Sequence, residues 1–258
     1  MFRSMAVALC LVSPGAGVAM AGGLTPQEAG SRLLRAYPDH IAGVNGGEII
    51  WRDGGRMKID DGQGEKSFED WLAAPDLQDI FALGYPQGEP SAPGVNYDPG
   101  RARPAAFFDR MYGNCQTGEV EKNLVDVRWM PSRTRVKLKV TRVNGVAEKL
   151  AAISAELERL PKVFDEFLNP VAGTFACRPI AGSTRLSAHG YGIAIDLALK
   201  NAHYWRWSKP GEVGHSEWRN SIPIEIVQIF EKHGFIWGGR WYHFDTMHFE
   251  YRPELFVK

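Results

Sequence analysis

The succession of strand-like and helix-like patterns limits the folds open to this chain more than any other feature of its sequence. Residues 125–129 and 136–140 alternate apolar and polar side chains, as half-buried strands do. A helical stripe of apolar residues follows, for which we expect Asn144 as the N-cap and an end near Pro161, and a later helix should end at Gly234. This mixture predicts an α+β fold, in which a small antiparallel sheet is flanked by helices.

Turn-forming residues interrupt the chain from Gly22 to about Arg103 so often that only short elements fit between them. Thr25 and Pro26 predict the N-cap and the first residue of a helix. Residues 48–59 are typical of a hairpin, because two apolar runs flank an Asp-Gly-Gly turn. No catalytic constellation is visible in this segment, and we expect it to pack as an irregular lid or flank.

The first residues have the pattern of a secretory signal peptide. Arg3 precedes a short apolar run over residues 5–12, and small residues occupy the positions expected before a cleavage site after Ala21. The run is too short and too interrupted to span a membrane stably, although a disordered start or an uncleaved anchor stays open. We expect a secreted or periplasmic protein with no membrane span after cleavage. The expected parts are a signal peptide (1–21), an N-terminal extension of unknown role (22–104) and a domain that carries the chemistry (105–258).

Cleavage after Ala21 would remove one of the three cysteines. The other two, Cys115 and Cys177, would then be in an oxidising compartment. An even pair in such a chain predicts a disulfide, with two buried thiols as the alternative. A metal role is disfavoured because neither cysteine has a second Cys or a His at ligand spacing.

Charge excludes one large class of partner. The chain has 30 Lys and Arg against 30 Asp and Glu, so its formal net charge is zero. Without a basic field to release counterions from a polyanion, nucleic acid is not an expected partner.

Two stretches near the C-terminus, residues 187–197 and 241–250, combine strand patterns with metal-ligating side chains. In the first stretch, Asp196 shares a strand face with two alanines, and His189 lies just before that strand. In the second stretch, His248 projects from a strand. Two imidazoles and one carboxylate leave one position of a tetrahedral Zn²⁺ open for water, which is the arrangement of catalytic zinc.

Asp245, in the turn before His248, is then a spare carboxylate that can take the proton of a water molecule. On a straight strand, its odd offset from His248 would point it to the opposite face, so a turn must redirect it. An Asp and a His at either of these spacings can occur by chance, so each pair alone is weak evidence for a metal site. The residues around the pairs give stronger evidence.

Those surroundings, Ser-x-His-x-x-Gly-x-Ala-x-Asp at 187–196 and Asp-x-x-His-Phe at 245–249, resemble the zinc D-alanyl-D-alanine carboxypeptidase family. That family includes L-alanyl-D-glutamate endopeptidases and lies within the lysostaphin, D-Ala-D-Ala metallopeptidase and sonic hedgehog group. The resemblance covers roughly residues 175–254. It implies one Zn²⁺ per chain and a set of site residues: His189, Asp196 and His248 as ligands, Asp245 as general base, Arg178 for the substrate or developing oxyanion, Ser187 as the motif serine, and Trp241 as an aromatic near the site.

Two departures bear on the substrate. The branch that cuts free D-Ala-D-Ala has Glu at the base position and Trp immediately before the last histidine, whereas this chain has Asp245 and Met247. The resemblance therefore favours the endopeptidase-like branch, and it leaves the scissile bond open.

Other polar residues have simpler interpretations. Glu250 is expected to support a ligand or form an ion pair, Arg178 alternatively anchors a loop, and Asp245 alternatively caps a turn. Four other histidines are expected at the surface or at helix ends, with the last of them as the strongest rival ligand: His203, His215, His233 and His243.

The expected function is a secreted zinc metallopeptidase that hydrolyses peptide bonds in peptidoglycan stem peptides, with those peptides as its partners. Two alternatives stay open at this point. One is a non-catalytic cell-wall-binding protein that uses the same groove, and the other is a general periplasmic protease. Retention of all three ligands together with Asp245 argues against the binding protein, since a protein without turnover can lose the base and keep its fold.

Overall fold

The structure, a computed structural model, describes residues 23–207 and 217–258. The predicted signal peptide and His215 lie outside the described residues. The fold is mixed α+β with small antiparallel sheets, as the sequence predicts. The α-helices of the described residues are α1 (Pro26–Ala36), α2 (Phe68–Ala73), α3 (Ala105–Tyr112), α4 (Val146–Leu157), α5 (Asp165–Leu168) and α6 (Ile224–Lys232). The strands are β1 (Ile41–Asn45), β2 (Glu48–Trp51), β3 (Arg56–Lys58), β4 (Leu124–Arg128), β5 (Lys137–Thr141), β6 (Ala194–Asp196), β7 (Phe235–Trp237) and β8 (His248–Tyr251).

The N-terminal segment is more regular than its turn signals suggest. Helix α1 begins as predicted, because Thr25 and Glu28 form a reciprocal capping box and Pro26 is at the first helical position. Strands β1, β2 and β3 then form an antiparallel sheet in that order, and the predicted hairpin is its β2–β3 half.

Strands β4 and β5 pair antiparallel, as predicted, with Val127 opposite Leu138. The prediction that Asn144 caps the following helix is wrong. Asn144 adopts a left-handed conformation with φ 56°, whereas an N-cap residue is extended, and its side-chain amide contacts the sulfur of Met111. Gly145 precedes α4 instead, and α4 ends at Leu157, before the predicted Pro161.

The third sheet, in the order β6-β8-β7, contains the two stretches that the sequence singles out. Pairing of β6 with β8 sets Asp196 opposite His248. All four residues of β8 are buried, so the sheet holds its polar side chains inside the protein. Helix α6 packs beside β7, and Gly234 has the left-handed conformation expected after the helix, with φ 81°.

One hydrophobic core cluster contains side chains from both the N-terminal segment and the rest of the chain. Phe107 of α3 packs against Tyr37 and Trp51, with ring centroids 5.7 and 5.5 Å apart. The boundary between residues 104 and 105 stays a prediction. Within the described ranges, we find no helix with the length and apolar character needed to cross a membrane.

The disulfide between Cys115 and Cys177 is present, with an S–S distance of 2.09 Å. It joins Cys115, in the segment after α3, to Cys177, which immediately precedes Arg178. The sulfur bridge therefore restrains the loop that leads into the second half of the chain.

Replacement of both cysteines by alanine should lower the free energy of unfolding by about 4 kcal/mol, because the bridge spans a sequence separation of 62. Denaturant unfolding of the oxidised parent and the double variant measures this difference. Reductant should destabilise the parent and leave the double variant unchanged. Two free thiols in the denatured, unreduced parent would contradict the assignment.

Candidate metal centre

Three side chains that the sequence predicts as ligands meet at one point. His189 Nε2 lies 3.2 Å from His248 Nδ1 and 3.2 Å from Asp196 Oδ1. His248 Nδ1 lies 3.0 Å from Asp196 Oδ1. Ligand atoms at Zn–N and Zn–O distances of about 2.1 Å, arranged tetrahedrally, are separated by about 3.4 Å. The donor atoms of this cluster therefore already have the spacing of a zinc site.

The turn that carries His189 depends on its neighbours in the motif. Ser187 caps the short 3₁₀ helix Ala188–Tyr191 by accepting a hydrogen bond from the His189 backbone N–H. Gly192 ends this helix in a left-handed conformation with φ 68°, and a Cβ there would lie 3.0 Å from the backbone nitrogen of Thr141. Only glycine fits that position without strain, and it directs the chain into β6.

The outer nitrogens of both imidazoles are hydrogen-bonded to acceptors. His189 Nδ1 donates to the Thr174 carbonyl, and His248 Nε2 donates to Glu250 Oε2 at 3.0 Å. With these protons on the outer nitrogens, the inner nitrogens of both imidazoles and the Asp196 carboxylate face the shared point. Such a set of atoms suits a bound cation, and supported imidazoles of this kind are typical of protein-bound zinc.

The charges around the cluster also favour a positive charge at the shared point. Burial opposes ionisation, but the two imidazoles hold the pKa of Asp196 well below its usual range. Burial likewise lowers the pKa of His248, yet the carboxylates of Asp196 and Glu250 raise it to about 10. The surroundings thus favour positive charge next to the Asp196 carboxylate.

Glu250 is the centre of a buried ion network, as its expected ion-pairing role requires, and it contacts the candidate ligand His248. Its carboxylate is fully buried and accepts hydrogen bonds from Arg103 at 2.8 and 3.0 Å and from Arg252 at 3.1 Å. Although burial raises the pKa of Glu250, Arg103 is the main cause that holds it well below its usual range. Arg252 also binds Glu254, whose other oxygen accepts a 2.6 Å hydrogen bond from Tyr37.

Asp245 reaches the same pocket because a turn redirects it, as its odd offset from His248 requires. The backbone N–H of His248 donates to the Asp245 carbonyl at 3.1 Å, and the Asp245 N–H donates to the Gly238 carbonyl at 3.0 Å. A Cβ on Gly238 would lie 2.5 Å from the Asp245 carbonyl oxygen, so this approach needs glycine. Burial raises the pKa of Asp245 to about 6. Among the described residues, its Oδ1 has no hydrogen-bond partner.

A cavity of about 240 Å³ brings these groups together. Arg178 lines this cavity as an exposed residue, together with Ile180. Ser187 and Trp241 also line the cavity, and the Trp241 ring centroid is 5.6 Å from that of His248. The structure thus gathers every residue that the sequence assigns to the site.

The rival histidines have other partners. His203 contacts Ser221, and His233 contacts Glu156, each at 2.8 Å. His243 Nδ1 lies 2.6 Å from Asp98, and none of these histidines belongs to the ligand cluster.

A second acidic cluster of the described residues, Asp60, Asp61 and Asp76, has a different character. Lys66 Nζ lies 2.7 Å from Asp61 and 3.5 Å from Asp76, and also binds the neighbouring Asp79 at 2.6 Å. Because an ammonium already compensates these carboxylates, we assign no metal there.

Two cavity residues, Arg101 and Arg103, were not predicted from the sequence. Both come from the N-terminal segment, where no catalytic constellation was visible. Their role depends on contacts with residues more than 140 positions away, such as His243 and Glu250. A local motif cannot carry that information.

Comparison with known proteins agrees with the motif. Residues 181–251 match the sequence profile of a family described as D-alanyl-D-alanine carboxypeptidase. Over 72 residues, the chain is 39% identical to the peptidoglycan L-alanyl-D-glutamate endopeptidase CwlK of Bacillus subtilis (strain 168). That segment covers 26% of this chain, and the chain spans only 40% of the length of this relative. No solved structure matches the chain. These matches confirm the resemblance of residues 181–251 to the D-alanyl-D-alanine carboxypeptidase family.

Proposed function

We propose that this protein is a zinc-dependent peptidase that hydrolyses peptide bonds in peptidoglycan stem peptides. The observation that carries the proposal is the convergence of three candidate ligand atoms with the Asp245 carboxylate in a single cavity. Among the described residues, the buried Oδ1 of Asp245 has no hydrogen-bond partner. A binding protein has no need for that carboxylate, since a buried polar atom without a partner costs free energy.

His189, Asp196 and His248 would hold the metal, through Nε2, Oδ1 and Nδ1. Zinc bound there supplies a Lewis acid that polarises the scissile carbonyl and lowers the pKa of water. The Thr174 carbonyl and Glu250 keep both imidazoles in the tautomer that leaves the inner nitrogens free to bind.

Asp245 acts as general base. Its carboxylate takes one proton from the attacking water while the water oxygen bonds to the carbonyl carbon. When the C–N bond breaks, the same carboxyl gives that proton to the leaving amine. Because Oδ1 is buried and unpartnered among the described residues, it is ready to accept this proton.

The other cavity residues position the substrate. The exposed guanidinium of Arg178 can donate to the oxyanion that forms, and the neighbouring disulfide restrains the loop on which it lies. Ser187 and Trp241 form part of the wall that the peptide contacts.

We further propose endopeptidase-like cleavage. Two features support it: Asp245 and Met247 depart from the carboxypeptidase pattern, and the chain is 39% identical over 72 residues to an L-alanyl-D-glutamate endopeptidase. Action in the periplasm or outside the cell is part of the proposal and rests on the pattern of residues 1–21.

Digestion of purified cell-wall material, followed by mass spectrometry of the released peptides, tests the proposal. Zinc-loaded protein should release fragments cut at one stem-peptide bond, and the new termini identify that bond. Binding to wall material without cleavage would favour the non-catalytic alternative, and cleavage of unrelated denatured proteins would favour a general protease.

The first prediction concerns the ligands. Purified protein should bind about one Zn²⁺ per chain, and His248→Ala should abolish binding, because two remaining ligands do not hold zinc tightly. His243→Ala is the matched control and should retain zinc, since His243 pairs with Asp98. Metal analysis after dialysis measures both. Loss of zinc in the control with retention in His248→Ala would refute the assignment.

The second prediction concerns support of His248. Glu250→Gln should weaken zinc affinity by about 10- to 100-fold, because the charged acceptor of the His248 N–H is lost. Glu254→Gln is the control, since Glu254 belongs to the same buried network but accepts its hydrogen bonds from Arg252 and Tyr37. Competition with a chelator measures affinity. Equal losses in the two variants would show a general structural effect and contradict the prediction.

The third prediction concerns the base. Asp245→Asn should retain zinc and fold while activity on stem peptides falls by about a hundredfold or more, because the amide cannot take a proton. Circular dichroism and metal analysis establish fold and zinc content. Cleavage at the parent rate would exclude Asp245 as general base.

A further inference from the structure

One wall of the cavity is formed by arginines from outside the family segment. Arg101 and Arg103 lie on the segment that precedes α3, and both line the cavity that contains the three ligands. The family match begins only at residue 181, so it gives these two residues no role.

Arg101 is held in place with donors to spare. Its Nη1 donates to the His243 carbonyl at 3.2 Å, and its guanidinium lies 5.0 Å from the centroid of the Trp241 ring. Asp98 is 4.0 Å from its Nε, beyond hydrogen-bond distance, and already accepts two hydrogen bonds from His243. A guanidinium has five N–H donors, and the bond to the His243 carbonyl uses one of them.

Arg103 supplies a second indication of a ligand. Its side chain is only 8% exposed, and its Nη1 binds Glu250. Its Nε, however, is buried and has no hydrogen-bond partner among the described residues. Because buried donors are nearly always satisfied, this atom indicates a missing acceptor.

Both arginines are one side chain away from the metal centre. The Trp241 ring, which contacts Arg101, is 5.6 Å from the His248 ring. Glu250, which binds Arg103, also binds His248. An acceptor bound by these guanidinium groups would therefore share one cavity of about 240 Å³ with the three candidate ligands.

We propose that Arg101 and Arg103 form a carboxylate-binding subsite that recognises a free α-carboxylate on the substrate residue whose nitrogen leaves. Arginine suits this role because its planar fork of donors matches the geometry of a carboxylate. This inference rests on the proposed function and specifies its substrate class.

Stem peptides offer such a carboxylate at both the D-Ala-D-Ala bond and the L-Ala-D-Glu bond. A terminal D-Ala ends in one, and D-Glu keeps its α-carboxylate free because it is joined to the next residue through its side-chain carboxyl. The subsite therefore selects the residue on the leaving side, whichever of these two bonds is cut.

Two synthetic stem peptides that differ only at this group, one with the free carboxylate and one with a carboxamide, test the subsite. Their binding to the zinc-loaded Asp245→Asn variant is measured by calorimetry, so that neither is consumed. The acid should bind about 10- to 100-fold more tightly than the amide, the range for charge-assisted hydrogen bonds. Arg101→Gln, added to this variant, should lower that ratio, because one of the two guanidinium groups of the subsite is lost.

Arg101→Gln is the informative change, because removal of Arg103 would also unpair Glu250. Arg56→Gln is the matched control: it removes the same charge from an exposed arginine that pairs with Glu48, and the ratio should stay at the parent value. A merely structural effect of Arg101→Gln would weaken both peptides equally and leave the ratio unchanged.

Hydrolysis of the acid peptide by the parent protein separates this inference from the proposed function. Tighter binding of the acid without any hydrolysis would support the subsite and reject the peptidase. Hydrolysis with equal binding of acid and amide would reject the subsite and keep the peptidase. Failure of both peptides to bind would overturn the subsite.

Discussion

The candidate metal centre depends on one buried carboxylate, that of Glu250. It is surrounded by His248, Arg103 and Arg252, and it is fully removed from solvent. An isolated buried charge costs several kcal/mol, so this carboxylate is stable only while both guanidinium groups and the imidazole are present. The orientation of His248 is therefore tied to side chains from distant parts of the chain. The ion network explains why β8 is buried along its whole length although half of its residues are polar.

The same network makes the N-terminal segment part of the site. Arg103 binds Glu250 directly, and Tyr37, the residue after α1, reaches Glu254 on the far side of Arg252. The segment that matches the family begins at residue 181 and contains all three candidate ligands, but it lacks these supports. In this protein, the residues before α3 thus support Glu250, the partner of His248, and contribute arginines to the cavity wall. They are more than the lid or flank that the sequence suggested.

Local patterns were sufficient for much of the fold and for the members of the candidate site. Strand alternation placed β4 and β5, and the capping residues placed α1, because these signals act within a few residues. The two motifs singled out three side chains, and the pairing of β6 with β8 brings them together. Asn144 is not the cap, because it adopts a left-handed conformation and its side-chain amide contacts the Met111 sulfur. Arg103 was missed because its partner lies 147 positions away and no local pattern links them.

Anomalous diffraction at the zinc edge, on crystals of the zinc-loaded protein, tests the assigned metal centre most directly. We expect one strong peak that contacts His189 Nε2, Asp196 Oδ1 and His248 Nδ1, with the Asp245 carboxylate nearby but not bound to the metal. A peak bound by Asp245 or His243 in place of one of these atoms would contradict the assignment of ligands and base. Absence of any peak at this cluster in zinc-loaded crystals would contradict the metal centre itself.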